Sequence, residues 1–418
     1  MLNKVNLPQG WKLVLLDSVA KRGSGHTPAK SVPAYWNGGI KWISLADSNK
    51  LDKIHISSTK YEISKEGIKN SSAVLHPPGV VVVSRDAGVG KSAITTCEMA
   101  VSQHFIAWEC GPEIHNYFLY YWLQFMKPVF EKIAIGSTIK TIGLPFFQKL
   151  EIPLPPINTQ HVIAEILLCW DSGIHELDQL LKAKITLKRA LEQQLLTGKQ
   201  RFEEFAGQEW KEVQLGEIFK EVSDTNDRDN GHSIMTISAR SGLISQEDKF
   251  DRVIAGNSLT KYTQIKRGDF AYNKGNSKSY QMGCIYQLED RESALVPFVY
   301  ICFRATGAVY SSFYKHWFLA HGLDRQLKKI ITSGARSDGL LNVNTDDFFK
   351  LKVPLPPTSE QKAIAHVFEA LSKEISLLEK TLDAFKRQKR GLMQKLLTGK
   401  IRVKTENRSR NKEELVSA

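Results

Sequence analysis

The strongest constraint on the fold is a stretch that the chain contains twice. Residues 153–201 begin PLPPINTQHVIAEIL and end RALEQQLLTGKQR, and residues 354–402 begin PLPPTSEQKAIAHVF and end RGLMQKLLTGKIR. The two copies align without a gap and share identities at both ends. A repeat of this kind predicts that the whole chain is built from two copies of one structural unit.

Each copy predicts a long α-helix. The prolines of PLPP lack amide donors and favour extended backbone, so they end the preceding element. In the second copy Thr358 and Gln361 have the spacing of a capping box, whereas in the first copy Asn158 or Thr159 is expected to cap the helix. Both helices should therefore begin directly after their prolines.

Apolar side chains in each copy recur in alternating steps of four and three, the pattern of a heptad seam. The first seam comprises Ile163, Leu167, Trp170, Ile174, Leu177, Leu181, Lys184, Lys188, Leu191 and Leu195. The second comprises Ile364, Phe368, Leu371, Ile375, Leu378, Leu382, Phe385, Lys389, Leu392 and Leu396. Lys184 and Lys188 weaken the middle of the first seam, and Gly198 and Gly399 are suited to end the helices in a left-handed conformation. At 1.5 Å per residue each helix would be about 55–60 Å long, and the two are expected to pack as an antiparallel coiled coil.

A globular segment of ordinary domain size precedes each helix. The fold class expected is α+β, with two tandem domains of mixed α/β structure separated by the two long helices, related by a pseudo-twofold axis. The expected boundaries are 1–152 for the first domain, 153–202 for its helix, 203–353 for the second domain, 354–403 for its helix, and 404–418 for a basic tail.

Composition narrows the function. The formal net charge is +13, which favours a polyanionic partner, and nucleic acid is favoured over membrane because no apolar run approaches the length of a bilayer span. The five cysteines form no C-x-x-C pair and indicate reduced thiols. The start of the sequence lacks the apolar segment of a signal peptide, so we expect a cytoplasmic protein.

Both domains show the same order of smaller signals. An alternating segment opens each one, at residues 11–16 and 210–215. A strand, a glycine-containing loop and a second strand follow, in PPGVVVVSRDAGVGKSAI and in KRGDFAYNKGNSKSYQMGCI. An apolar β-like run then leads into an aromatic-rich helix, and a small polar loop closes the domain, GSTIK at 136–140 or SGARS at 333–337.

The loops carry the candidate DNA contacts, because short donors and cations suit phosphates while Arg and Asn can also read base edges. They are Ser84, Arg85, Lys91, Ser92, Thr138 and Lys140 in the first domain, and Asn273, Lys274, Asn276, Lys278, Arg336 and Ser337 in the second. A plain hairpin turn or a solvated loop is the alternative for each.

Motifs for catalysis are incomplete. The loop Gly88 to Ser92 resembles the end of a phosphate-binding loop, but Arg85 stands where that motif needs a glycine. Residues 247–249 have the acidic-x-Lys half of a metal nuclease site without its Pro-Asp half, which favours a solvated turn. We find no metal-ligand spacing and no motif that would hold a flipped amino base. The sequence therefore predicts a protein without a catalytic site.

A basic variable domain, a helix opening PLPP-x-x-x-Q-x-x-I-A and closing LLTGK-x-R, and the same order again together resemble the specificity (S) subunit of type I restriction-modification systems. The segment GHTPAKSVPAYWNGGIKWISLAD also looks like the opening of that family's target recognition domain, and the second domain lacks this opening. The resemblance covers almost the whole chain.

What the resemblance implies is a DNA-binding scaffold. Each recognition domain would read one half of a bipartite site in double-stranded DNA, and the helices would act as the spacer. Methylation (M) subunits, two of them, would dock on the helices and hold S-adenosylmethionine, with no cofactor on this chain, and restriction (R) subunits would join a larger assembly. The alternatives are a nuclease or methyltransferase with an unrecognised site and a coiled-coil adaptor that binds only protein.

Overall fold

The structure, a computed structural model, forms two compact units. It describes residues 7–225, 233–238, 241–250, 256–275, 280–307, 309–331 and 341–404. Unit 1 comprises residues 1–178 and 380–418, and unit 2 comprises residues 179–379. The division falls inside the two long helices, Ile157–Leu195 and Thr358–Leu397. Each unit is therefore one globular domain with a part of each helix.

Unit 1 contains a five-stranded sheet and a four-stranded sheet. The five-stranded sheet has the order Ala20–Ser24, Phe105–Cys110, Val81–Ser84, Ser92–Thr95 and His55–Ile56, antiparallel except for its last pair. The four-stranded sheet has the order Tyr61–Ile63, Trp36–Ile43, Met99–Val101 and Leu75–His76. The helices are Leu16–Val19, Lys65–Lys69, Asn116–Ile133 and Leu144–Gln148, with 3-10 turns at Pro33–Tyr35 and Leu45–Asp47.

Unit 2 repeats the first four strands, in spatial order, of the five-stranded sheet. Its antiparallel order is Phe219–Glu221, Ile301–Ala305, Phe270–Asn273 and Cys284–Gln287. The unit also has two antiparallel strand pairs, Met235–Ser238 with Gly242–Ser245 and Thr263–Lys266 with Ser293–Val296. The helices are Leu215–Ile218, Gln246–Phe250, Ser311–Leu319, Asp324–Ile330 and Thr345–Phe349, with 3-10 turns at Glu203–Phe205 and Gly256–Lys261.

The opening strand of each domain pairs with the strand that ends at the proline motif. Lys12–Leu15 lies antiparallel to Glu151–Leu154, and Lys211–Gln214 lies antiparallel to Lys352–Leu355. Gly79 and Gly268, which the sequence places at equivalent turns, both have positive φ, 87° and 94°. These matches confirm the distant likeness of the two domains.

One sequence interpretation was wrong in both domains. The apolar runs 101–108 and 295–303 predict a single β-like segment, but each is split between two strands of different sheets or pairs. In unit 1, Ser102 donates its amide to Ile43 and its carbonyl accepts the amide of Phe105, which turns the chain between the strands. Apolar composition alone does not show where a tight turn divides such a run.

Within unit 1, the start of the first long helix packs against the end of the second. The Trp170 and Phe385 rings have centroids 5.3 Å apart, and the Lys389 ammonium lies 2.5 Å from the Asp171 carboxylate. Ile163 and Leu167 share a buried core with residues 393, 396 and 397. Residues near the start of the first helix contact residues near the end of the second, so the two helices pack antiparallel in this unit.

Unit 2 holds the remaining parts of both helices in the same antiparallel sense. Lys184 lies 2.8 Å from the Glu374 carboxylate, and Lys188 donates to the Ser372 hydroxyl at 3.0 Å. The two lysines therefore reach polar partners on the facing helix. All twenty predicted seam positions are buried or half-buried, which confirms the heptad interpretation.

The helix starts differ from the predicted caps. The helices begin at Ile157 and Thr358, so Thr358 lies inside the helix, and the amides of Thr159 and Gln361 donate to the prolines that precede the helices. The Gln361 side chain instead donates to the Pro356 carbonyl and accepts the amide of Tyr310. The predicted glycine ends are confirmed, because Gly198 and Gly399 have φ of 70° and 69°.

The repeated glutamine joins each helix to its domain. The Gln160 amide is fully buried, donates to the carbonyls of Glu113 and Pro155, and accepts the amide of His115. The Gln160 side chain thus bonds both to the segment before the aromatic-rich helix and to the turn before the long helix. These bonds fix the direction of the long helix relative to its own domain.

Candidate nucleic-acid interface

The glycine loop of unit 1 is a tight connection between two buried strands. Val81–Ser84 and Ser92–Thr95 pair antiparallel, and the loop closes through the amide of Gly90 on the Ser84 carbonyl. Gly88 and Gly90 have φ of 108° and 82°, values that residues with a Cβ rarely adopt. The loop from 85 to 91 is therefore built to turn back sharply at the edge of the sheet.

Two of the predicted contact residues in this loop are structural. The side chains of Ser84 and Ser92 are 1% and 0% exposed. The Ser84 hydroxyl donates to the Asp86 carbonyl, and the Ser92 hydroxyl accepts from the Gln124 amide at 2.8 Å. These hydroxyls cannot reach a DNA backbone, so the predicted set for this loop is reduced to Arg85 and Lys91.

Arg85 and Lys91 are held in place by the domain. Arg85 Nε donates to the Ile142 carbonyl at 3.0 Å, and Lys91 Nζ donates to the carbonyl and the hydroxyl of Ser48 at 3.1 and 3.2 Å. The terminal guanidinium nitrogens of Arg85 make no hydrogen bond to any described residue. Arg85 therefore presents two oriented donors, whereas Lys91 is largely used within the domain.

A second predicted loop meets the first. The amide and carbonyl groups of Ile135 and Thr141 pair with each other, and the amide of Ile142 donates to the Arg85 carbonyl. Asp86 forms a β-bridge with Thr141. Thr138 and Lys140 are both exposed in the loop that this pairing closes. The structure thus brings the glycine loop and the GSTIK loop together, which makes one basic surface from two separate segments.

In unit 2 the described part of the glycine-containing loop contacts residue 341. Asn273 uses its side-chain oxygen to accept the amide of Gly275 at 2.9 Å, and the Lys274 carbonyl accepts the amide of Leu341 at 2.9 Å. Both side chains are half-buried. The other predicted contacts, Asn276, Lys278, Arg336 and Ser337, lie outside the described residues.

Beside this surface, unit 1 has an open cavity of about 680 Å³. We call it the aromatic cavity. It is lined by Thr27, Lys30, Trp36, Asn37, Trp42, Ser44, Leu45, Ala46, Tyr61, Ser102, Gln103 and His104. It adjoins the glycine loop, because His104 Nδ1 donates to the Asp86 carboxylate at 2.7 Å. Sequence reasoning did not assign these residues to a site, although the segment GHTPAKSVPAYWNGGIKWISLAD, which supplies eight of them, was singled out as a motif.

The described residues contain no group of three or more His, Cys, Asp or Glu side chains that could hold a metal ion. Residues 247–249 lie in the short helix Gln246–Phe250 instead of a turn, and Lys249 donates to the Ile237 carbonyl at 2.9 Å. Burial lowers the pKa of His316 to about 3 and that of His115 to about 4, so both rings are neutral at pH 7. None of the helices in the described part of the chain could span a membrane.

Two mixed α/β domains with the same central sheet, each closed by a long helix, define a tandem-repeat protein of the α+β class. The family described as "Type I restriction modification DNA specificity domain" matches residues 8–187 and again residues 207–387. These matches cover most of the sequence, and the chain belongs to this family of DNA specificity domains. The resemblance drawn from the helix motifs is thereby confirmed.

Individual relatives are distant but extend over the full chain. The chain is similar to the type I restriction enzyme MjaIX specificity subunit of Methanocaldococcus jannaschii, with 24% identity over 416 residues that cover 95% of each protein. The S subunit of the type I restriction-modification system from M. genitalium has the same fold, with a TM-score of 0.54 and 16% identity over 95% of this chain and 97% of that one. A chain from a structural study of complex assembly and conformational transition in a type I R-M system gives a TM-score of 0.54 at 15% identity, over 94% of this chain and 99% of that one.

Proposed function

We propose that this chain is the specificity subunit of a type I restriction-modification complex, in which each globular domain reads one half of a split DNA target. The observation that carries the proposal is the double family match on a chain whose structure repeats one domain and one helix. The adjoining loops of unit 1 support it, because Arg85, Thr138 and Lys140 give one domain oriented and exposed donors for phosphates and bases.

The long helices would set the distance between the two halves of the target. The seam between the helices is apolar for most of its length. At its other positions, lysines bond to carboxylates and a hydroxyl on the facing helix. We propose a full-length antiparallel coiled coil whose outer, charged faces dock two methylation subunits. Those subunits would bind S-adenosylmethionine and modify adenine, restriction subunits would join the larger complex, and this chain would hold no cofactor and catalyse no step itself.

Mapping of methylated adenine in cells with and without the gene tests the function. We expect one bipartite motif that is methylated in the presence of the chain and unmethylated in its absence. Purified chain should bind a duplex that carries the motif more tightly than a scrambled duplex, and should neither methylate nor cleave it. Methyl transfer or cleavage by the chain alone would contradict the proposal.

A change in helix length tests the spacer. Four residues inserted between Leu177 and Leu181, with four more between Leu378 and Leu382 to keep the helices matched, lengthen each helix by about 6 Å at 1.5 Å per residue. That is about two base pairs at 3.4 Å each. The methylated motif should keep both halves and gain a longer gap. A motif with the original gap would show that the helices do not set the spacing.

A further inference from the structure

The aromatic cavity of unit 1 has rigid aromatic walls. The rings of Trp36 and Trp42 meet edge to face at 5.3 Å and 86°. Their indole nitrogens donate within the domain, Trp36 to the Ala29 carbonyl and Trp42 to the His26 carbonyl, at 3.2 and 3.1 Å. Trp42 is 5% exposed and Trp36 is half-buried. Because both donors are used, the accessible part of the Trp36 ring offers carbon surface to a ligand, and a flat unsaturated ring gains most from such a surface.

The cavity also contains polar groups that lack protein partners. Ser102 is 0% exposed, and its hydroxyl makes no hydrogen bond to any described residue. A buried hydroxyl without a partner is unfavourable unless a ligand or water completes it. Thr27 donates to the side-chain oxygen of Gln103 at 2.5 Å, which leaves the Gln103 amino group for a ligand. The ligand must therefore carry hydrogen-bonding atoms as well as a flat ring.

The charge of the cavity favours an anion. Lys30 is exposed and makes no ion pair or hydrogen bond with the described residues. No Asp or Glu is among the residues that line the cavity. The His104 ring extends the cavity toward Asp86 and the basic surface formed by Arg85 and Lys140. A flat ring that carries hydrogen-bonding atoms and an anionic group is a description of a nucleotide.

We propose that the aromatic cavity holds one unstacked nucleotide of the DNA bound by the first recognition domain, with its base against Trp36 and its phosphate near Lys30. An intact duplex presents only base edges, so a base can reach this ring only when it has left the stack. The inference rests on the proposed function and extends it, since it adds a base-specific subsite to groove contacts.

The test measures coupling between one ring and one base. The probe is a fluorescein-labelled duplex with the split motif found by methylation mapping, in a series in which one nucleotide at a time is replaced by an abasic residue. Dissociation constants for the full-length wild type and Trp36→Ala are measured by anisotropy. At one position in the half read by the first domain, loss of the base should weaken wild-type binding about 5- to 150-fold, the range for one stacked base, and should not weaken Trp36→Ala further.

Control variants separate stacking from folding and charge. Trp36→Phe keeps a ring in the cavity and should keep the coupling. Ser102→Ala leaves the aromatic walls intact and should reduce the cost of the same abasic substitution, which provides the test if Trp36→Ala does not fold. Lys30→Ala should weaken binding without changing that cost, because an abasic residue keeps its phosphate. Lys69→Ala removes an exposed lysine that does not line the cavity and should leave the coupling unchanged.

The outcomes distinguish the two proposals. In one outcome, the fold-losses in affinity from Trp36→Ala and from base removal simply multiply at every position of the duplex. If they do, and the wild type still binds the motif more tightly than a scrambled duplex, the cavity proposal is wrong and the recognition function stands. If the wild type shows no preference for the motif, the recognition function is wrong and the cavity proposal fails with it. If free deoxynucleoside monophosphates bind in a Trp36-dependent manner while no duplex position is coupled, the ligand is a soluble nucleotide and DNA is not its source.

Discussion

Removal of the positive charge of Arg201 should strongly destabilise unit 2. The Glu360 side chain is 0% exposed in the first turn of the second long helix, and Arg201 holds it through Nε at 2.5 Å and Nη2 at 2.6 Å. Trp210 Nε1 donates to the same carboxylate at 2.8 Å, and the Arg201 guanidinium lies 5.5 Å from the Trp210 ring. Two segments and a helix start are thus joined at one buried carboxylate.

The expected magnitude follows from leaving that carboxylate without its cation. Loss of one partner of a buried, hydrogen-bonded ion pair costs about 3–5 kcal/mol. We therefore expect Arg201→Met to lower the free energy of unfolding of unit 2 by about this amount. The double variant Arg201→Met/Glu360→Leu should recover most of the loss, because a well-packed apolar pair can replace a buried ion pair at little cost.

Unit 1 supplies a matched control. Arg402 occupies the position of Arg201 in the repeat, but it is exposed, and Thr159 stands where Glu360 does in unit 2. Arg402→Met therefore removes the same side chain without leaving a buried charge, and surface substitutions of this kind change stability by less than about 0.5 kcal/mol.

Hydrogen exchange is the suitable assay, because two compact units need not unfold in one transition. Amides at the start of the second long helix should exchange about 10²- to 4 × 10³-fold faster in Arg201→Met, at tenfold for each 1.4 kcal/mol. Exchange at the start of the first long helix should not change. A cost below about 1 kcal/mol, or a double variant less stable than Arg201→Met, would refute the reasoning.

Three further predictions concern single side chains. Gln160→Leu leaves three backbone groups without partners, so we expect unit 1 to lose about 3 kcal/mol in thermal unfolding while the exposed control Gln194→Leu changes little. Burial first, then Lys315 and Lys188, lower the pKa of His316 to about 3 from 6.5. The His316 ring stays neutral in the folded chain, whereas in the unfolded chain it takes up a proton below pH 6.5. The free energy of unfolding should therefore be unaffected by this group above pH 6.5 and should fall by about 1.4 kcal/mol per pH unit as the pH decreases from 6.5 toward 3. His316→Phe should remove that slope in urea unfolding at pH 7 and pH 5. Lys140→Ala should weaken binding to all duplexes equally and reduce the log–log salt slope by about one, whereas a sequence-dependent loss would assign Lys140 to base reading.

The sequence predicted the architecture through local and repeated signals. Heptad spacing placed every seam residue of both helices at a buried or half-buried position, because side-chain direction on a helix follows from position alone. Gly198 and Gly399 were predicted as helix ends because only a residue without a Cβ adopts the left-handed conformation easily. The family could be inferred from the same motifs, since PLPP and LLTGK occur twice.

The candidate site depended on contacts between distant segments. No local pattern showed that the hydroxyls of Ser84 and Ser92 are turned into the domain, because a short polar residue on a glycine loop reads as exposed. A local sequence pattern also could not show that residues 85 and 142 form two hydrogen bonds with each other, or that Trp36 and Ser102 line the same cavity. The predicted caps were also wrong, since the helices begin at Ile157 and Thr358, and the Gln361 side chain bonds to the Pro356 carbonyl and the Tyr310 amide.

By itself, then, the sequence determined the order of the elements, the two long helices and the family, because each of these depends on residues close in the chain or on exact repetition. Only the tertiary structure decided which polar side chains are buried, which loops adjoin and where a cavity forms. Those features arise when strands far apart in sequence pair in one register, and the free energy of that pairing comes from the whole buried core instead of any single motif.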